Sequence, residues 1–251
     1  MGEAAPPLSI VIPVFNEAEN ILDVLQDLRE VRTPHEVLLV YDFEEDTTLP
    51  VVRSSAQEGD HVRLVRNDLG SGVLNAMRAG VAASTAPLVL IMMADGADDA
   101  RDIDRMVERA ERGADLVAAS RYAKGGRQIG GPRLKRLLSR AAGLSLHWLG
   151  RLPIHDPTNN FKLYRRAFLD SVRIESNAGF ELALELSVKA ALHGFVLDEV
   201  PTTWRDRTAG TSRFRLRRWL PHYLRWYSYY VQHRIGLARR VSGRPRADGR
   251  R

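Results

Sequence analysis

The chain has 251 residues, of which 44% are hydrophobic and 27% charged, a composition that excludes a mainly disordered or fibrous protein. Lys and Arg number 37 against 31 Asp and Glu, for a net charge of +6, and the absence of cysteine excludes disulfides, thiolate metal sites and a cysteine nucleophile. The longest apolar run, Ala86–Ala94, has about half the length a bilayer-spanning helix needs, and Leu8–Phe15 is too short, and carries Pro13, for a signal peptide.

Leu8–Val14 reads as a buried strand, and Ile21, Val24, Leu25 and Leu28 predict a helix over Ala18–Val31 with one buried face. Val37–Tyr41 is a second strand and Thr47–Gln57 a second helix. Val62–Val65 is a third strand, leading through Gly70-Ser71-Gly72 into a helix that ends at Ala83. Leu88–Met93 is a fourth strand; the acidic turn Asp95–Asp102 then enters a helix over Ile103–Arg112, and Ala114–Ala119 closes the series. This alternation predicts an α/β protein with a mainly parallel sheet and helices on both faces. Ligands of such sheets bind beyond the carboxyl ends of the strands. Those ends carry Asn16 and Glu17, Asp42 and Asp46, Asp68, Asp95, Asp98 and Asp99, and Ser120-Arg121, so a shared site is expected there, with turn and helix capping as the competing role of each residue.

After Arg121 the alternation weakens. Gly125-Gly126 and Gly130-Gly131-Pro132 bracket an expected flexible loop, and Leu134–Leu149 reads as an amphipathic helix with a basic start. Asp156–Asn160 is a polar turn before a strand over Phe161–Tyr164; Glu181–Leu192 is a helix, Phe195–Val200 a strand and Trp204–Arg213 a loop. From Arg205 onward there are 14 Arg and two acids, an excess of 12 that leaves the first 204 residues at −6. Leu216, Trp219, Leu220, Tyr223, Leu224, Tyr227, Tyr230 and Val231 recur there at helical spacing among Arg217, Arg218, Arg225 and Arg234. Such a segment fits a helix lying in the bilayer interface, with packing against the body or a second subunit as the alternative and Pro221 as a start or kink. Ser242–Arg251 is expected to be a disordered tail.

Leu8-Ser9-Ile10-Val11-Ile12-Pro13-Val14-Phe15-Asn16-Glu17 resembles the opening strand of family 2 glycosyltransferases, which have the Rossmann-like GT-A fold. Gly72–Gly80, Ser120-Arg121-Tyr122, Asp156-Pro157-Thr158-Asn159-Asn160-Phe161, and Glu199-Val200-Pro201 followed by Arg207, Gly210 and Ser212-Arg213 resemble, in order, the dolichol-phosphate mannose synthase branch. The resemblance divides the chain into a GT-A domain over 1–214, a basic amphipathic extension over 215–241 and the tail. Two departures stand out. Tyr41 occupies the first acidic position of the family's Val-Asp-Asp-Gly-Ser-x-Asp, with Asp42 and Asp46 keeping the others, and the metal-binding Asp-x-Asp reads Met93-Ala94-Asp95.

The resemblance implies transfer of a sugar, with inversion, from a GDP- or UDP-sugar to a polyprenyl phosphate by a peripheral enzyme on the cytoplasmic membrane face. Nucleic acid is not an expected partner, and a homo-oligomer is an open one. Mg2+ or Mn2+ would be held by Asp95, with Asp98 assisting. Pro13, Phe15, Glu17, Asp42 and Asp46 would meet base and ribose, and Arg207 and Arg213 the diphosphate. Arg121, Arg133, Arg136 and Ser139 would hold the acceptor phosphate, with Asp95, Arg121 and Arg207 as the catalytic set. An anionic acceptor needs no general base. A hydroxyl acceptor would need one, with Glu181 and Asp156 as candidates, and loss of the first Asp of Asp-x-Asp leaves room for a module that binds nucleotide sugar or lipid without turnover.

Overall fold

The computed structural model describes residues 6–55, 61–206 and 216–234. Strands β1 (Leu8–Pro13), β2 (His35–Tyr41), β3 (Val62–Arg66), β4 (Leu88–Ile91), β5 (Leu116–Ser120), β7 (Lys162–Arg165) and β8 (Leu197–Pro201) form one sheet in the order β3-β2-β1-β4-β7-β5-β8. All pairings are parallel except the two made by β7. The short strand β6 (Arg127–Ile129) pairs in parallel with β9 (Thr203–Arg205).

Successive strand residues serve opposite faces, and each face builds its own core. Leu8, Ile10 and Ile12 of β1 pack with α1 (Ile21–Leu28), α2 (Thr48–Ser55) and α4 (Ile103–Glu111). Val11 instead packs with α3 (Val73–Ala83), α6 (Arg166–Ser171) and α7 (Leu182–His193). Helices therefore cover both faces, as expected. Gly80 of α3 sits so close to the sheet that a Cβ would lie 2.3 Å from Val11 Cγ1 and 2.9 Å from Val40 Cγ2. Gly80→Ala should therefore cost about 1–3 kcal/mol through overpacking, measured by denaturant unfolding.

Three expectations change. The expected glycine-bracketed loop contains β6, and the expected Arg-rich loop begins as β9. Neither short strand carries a hydrophobic run, and their pairing is what defines them. The helix α6 follows β7 with no predicted break, because too few residues separate them for a periodicity to register. The third change concerns the C-terminal helix α8 (Leu216–Arg234), which runs through Pro221 and packs on the body. Trp226 and Tyr230, 2% and 1% exposed, sit in the core beside α7 and α5 (Arg133–Trp148). Tyr230 donates its hydroxyl proton to Gly150 O, Trp226 Nε1 donates to Ser176 Oγ, and Tyr227 shares a hydrogen bond with Ser145. The aromatic stripe expected in the bilayer interface is thus buried against protein, where the rings exclude water and their polar tips find partners. Residues 235–251, including the expected tail, lie outside the described residues.

Candidate active site at the strand ends

The chain winds β1 to β3 in one direction and continues from β4 in the other, so β1 and β4 flank the point where strand order reverses. Loops leaving neighbouring strands there separate and open a crevice. Asp46 is buried beneath one wall: its carboxylate accepts from Asn16 N at 3.0 and 3.1 Å and from Thr48 N at 2.8 Å. It holds Asn16 in the left-handed region, at φ 53°, and caps α2, so the capping role accounts for its contacts. Asp42 accepts from Asn67 Nδ2 and Gly72 N, joining the ends of β2 and β3 to the start of α3. Pro13 is buried, Glu17 accepts from Asn20 Nδ2, and Phe15 stacks edge-to-face on Phe43 at 5.3 Å. The Phe15–Phe43 pair, half-buried at the ends of β1 and β2, adds an apolar surface that sequence reasoning placed on Phe15 and Pro13 alone.

Beyond β4, Asp95 is half-buried and accepts from Ala97 N, while Asp98 is turned inward at 8% exposure. Asp99 caps the following turn by accepting from Arg101 N, and binds the Arg101 guanidinium through both oxygens. Capping thus falls to Asp99 and leaves Asp98 for the site. Burial, and then the nearby Asp95 carboxylate, push Asp98 up to about 7 from 3.8. Two carboxylates in one turn, close enough for the charge of one to oppose ionisation of the other, suit a hard divalent cation, which completes its shell with water and phosphate oxygens. Among the described residues no group of three or more His, Asp or Glu forms a closed metal cage. Because the folded state holds its proton up to about 7, folding stability should fall as pH rises from about 4 to about 7. Asp98→Asn should remove that fall. Thermal unfolding from pH 5 to 8 in chelator checks it; parallel profiles for the two proteins would refute it.

The opposite wall is a connected set of polar side chains. Arg121, at the end of β5, lies 10% exposed against the fully buried Asp156. Nε donates to Oδ2 at 2.7 Å and Nη2 to Oδ1 at 2.9 Å, a two-pronged pairing that fixes the guanidinium plane. Nη2 also reaches Ser139 Oγ and Thr158 Oγ1, and Tyr122 OH donates to Ser139. Nη1 makes no hydrogen bond among the described residues. Burial alone would raise Asp156, but the Arg121 charge and hydrogen bonds outweigh it and hold the carboxyl below its ordinary value. Lys162 opens β7, and its ammonium donates to the carbonyls of Asp156 and Asn159, bracing the turn that carries the clamp. Desolvation brings that ammonium down to about 7. Arg121 and Lys162 both act electrostatically on Asp98, so the two walls share one field.

The structure thus joins Arg121 to Ser139, with Arg136 half-buried on the same helix and Arg133 exposed at its start. Arg207 and Arg213 lie outside the described residues. Asp156, Thr158 and Tyr122 were legible as motif residues without an assigned contact; Lys162 carried no separate signal. Glu181 accepts from the N–H groups of Asn177, Ala178 and Gly179, so both its oxygens hold a loop.

The sequence profile described as glycosyl transferase family 2 matches residues 9–173. A polyprenol monophosphomannose synthase of Mycolicibacterium smegmatis is 28% identical over 210 residues, 81% of this chain and 79% of its own length. An undecaprenyl-phosphate mannosyltransferase of Micrococcus luteus is 29% identical, over 81% of this chain and 85% of its own length. An uncharacterized glycosyltransferase of Mycobacterium tuberculosis reaches 31% over 84% of this chain and 90% of its own. The fold also matches the crystal structure of glucosyl-3-phosphoglycerate synthase from M. tuberculosis in complex with Mn2+, UDP-glucose and phosphoglyceric acid. There the TM-score is 0.66 at 17% identity, covering 94% of this chain and 82% of that one.

Proposed function

The chain belongs to glycosyl transferase family 2, and from that premise we propose that it moves a sugar from a nucleoside diphosphate donor to a polyprenyl phosphate. The fold is GT-A and the chain is a glycosyltransferase of the group that contains the polyprenyl-phosphate mannosyltransferases; the donor, the acceptor and the stereochemistry are the proposed part. The observation that carries the reading is the buried Arg121 clamp, a fixed cation set beside the Asp95–Asp98 carboxylates.

The acceptor's phosphate oxygen already bears the charge that makes it a nucleophile. It forms a bond to the anomeric carbon while the bond from that carbon to the donor diphosphate breaks, and the electron pair leaves with the diphosphate. One displacement inverts the anomeric centre and moves no proton. What the protein must do is hold two polyanions together without mutual repulsion. Arg121 supplies charge to the acceptor phosphate; Asp156 keeps the guanidinium oriented, and Ser139, Tyr122 and Thr158 fix its edge. Asp95 and Asp98 would hold Mg2+ or Mn2+, which when bound offsets charge on the leaving diphosphate. Asp42 and the Phe15–Phe43 pair would face the nucleoside, with Arg207 and Arg213 toward the diphosphate and Arg136 toward the acceptor.

A hydroxyl acceptor would require a general base. Glu181 is spent on three backbone N–H groups, and Asp156, with both oxygens on Arg121 and its carboxyl held below its ordinary value, is a weak proton acceptor, which favours the phosphate acceptor. The test incubates the protein with Mn2+ or Mg2+, a panel of GDP- and UDP-sugars and a short polyprenyl phosphate. A lipid-linked sugar with inverted configuration is expected. No product from any donor would overturn the reading.

A further inference from the structure

Glu199, in the middle of β8, has no part in the reaction as drawn above, yet its surroundings give it one. Ala118 of β5 pairs with Lys162 of β7 on one side and with Glu199 on the other. Residues paired across neighbouring strands share a face, so an ammonium and a carboxylate flank one small side chain on the same side of the sheet. Both reach the turn that carries Asp156. Glu199 accepts from His155 N at 2.8 Å through Oε2 and from His155 Nδ1 through Oε1. An ionised carboxylate only accepts, so Nδ1 of that ring carries a proton. Lys162 donates to Asp156 O and Asn159 O. Pro157 offers no N–H, so on that side of Asp156 the handle is a carbonyl, which an ammonium suits. The backbone around Asp156 is thus gripped at both ends, an N–H by the carboxylate and a C=O by the ammonium.

His155 also ties this turn to α5. Its ring stacks on His147 with centroids 3.7 Å apart, and a Cβ on Gly143 would run into its carbonyl oxygen. Ser139 lies about two turns before His147 on the same helix, where it meets both Thr158 and Arg121. Asp156 is fully buried and Arg121 nearly so, and no water makes up for a poor fit between them. A misplacement of about 1 Å in such a site costs up to about 100-fold in rate. Among the described residues Glu199 makes no hydrogen bond to Arg121, so it acts on the clamp through His155 and the turn. It also favours the charged form of Lys162, which burial opposes.

We propose that Glu199 and His155 are positioning residues for sugar transfer: their hydrogen bonds seat the turn so that Asp156 holds Arg121 in the orientation an anionic acceptor needs. The kinetic consequence rests on the polyprenyl phosphate reading; the seating of Asp156 does not. Packing is the competing role of His155, and the two roles rank substitutions in opposite order. Phenylalanine keeps a ring on His147 and loses the donor, whereas asparagine loses the ring and puts an amide N–H where the Nδ1 proton stood.

The experiment measures steady-state kinetics of the full chain and of His155→Phe, His155→Asn and Glu199→Gln, varying a short-chain polyprenyl phosphate at saturating donor and then the reverse. In His155→Phe the acceptor KM should rise about tenfold or more, the scale of a lost hydrogen bond to a charged group, with the donor KM within about twofold. Glu199→Gln should behave likewise, and His155→Asn should stay within about threefold of the parent. A second measurement needs no substrate: the Arg121 Nε–H signal in proton–nitrogen correlation spectra, assigned by its absence from Arg121→Lys. The charged hydrogen bond to Asp156 moves that proton downfield. The signal should return toward the ordinary arginine position in His155→Phe and keep its place in His155→Asn. His155→Phe as active as His155→Asn, a rise shared by donor and acceptor KM, or an Arg121 signal alike in all variants overturns the positioning proposal. The His155 pair decides the matter even where Glu199→Gln fails to fold. No product from the parent with any acceptor, with the Arg121 signal displaced in His155→Phe and kept in His155→Asn, supports the seating and counts against the functional reading instead.

Discussion

Asp156→Ala is expected to abolish sugar transfer and to cost about 3–5 kcal/mol of folding stability, because it leaves the buried Arg121 guanidinium without its counter-charge. Arg121 is 10% exposed, so water cannot replace the lost carboxylate, and four of the side-chain contacts around it converge on the same corner. Asp156 also accepts from Asn159 N and Thr158 Oγ1, so the turn that presents Thr158 loses its anchor. The pH dependence follows from the direction of the shift. Asp156 is held below its ordinary value of 3.8, so its contribution is fully present above that value and is lost as pH falls below it. Asp156→Asn should retain the turn better than Ala while still losing the charge. Guanidinium unfolding at pH 7, with activity measured on the folded fraction, is the check. A loss below about 1 kcal/mol with activity retained would mean that the clamp is not organising the site.

Asp95→Ala is expected to lower kcat by about 100- to 1000-fold, the usual scale for removing one electrostatic stabiliser of a developing charge. The side chain is half-buried at the turn beyond β4, where it accepts from Ala97 N. The adjoining Asp98 would become easier to ionise, because the nearby Asp95 charge is the second cause of its upward shift. Activity measured across a Mn2+ titration separates two outcomes. An enzyme should show a weaker metal dependence together with the loss of turnover. Activity within about threefold of the parent at every metal concentration would place the cation elsewhere. A protein that only binds nucleotide sugar would show no turnover in the parent and no change in nucleotide binding with metal.

Much of the fold was legible because its signals are local. The runs Ile10–Pro13, Val37–Tyr41 and Leu88–Ile91 are apolar on consecutive positions, and a strand buried on both faces has to be nearly so. Asp42, Asp95 and Arg121 were reachable because each follows such a run, where a parallel strand delivers its carboxyl end. Asp46 shows the limit of that inference: strand-end position marks it equally for a ligand and for a cap, and only the N–H groups of Asn16 and Thr48 around its oxygens separate the two. Asp98 and Asp99 are neighbours with identical chemistry, and backbone direction alone sends one inward and the other to Arg101. Lys162 lies in the least periodic part of the chain, and among the described residues β7 is the only antiparallel strand of the main sheet. That reversal puts its first residue, and the Asp156–Asn159 turn before it, at the same edge as the ends of β4 and β5.

The amino-acid sequence by itself determined the α/β class, the strand-end carboxylates and the family's motifs in order, since these depend on residue type and short-range periodicity. Tertiary structure alone decided which amphipathic face met protein. α5 and α8 both read as helices with an apolar side, and periodicity records that such a side exists without recording what covers it. Packing buried Trp226 and Tyr230 of α8 in the core and left Leu134, Leu137 and Trp148 of α5 in solvent, because Gly143 lets α5 lie against the His155 loop by its opposite face. The same seating brings Ser139 to Arg121, so the contact that completes the site and the one that exposes those side chains are a single packing event.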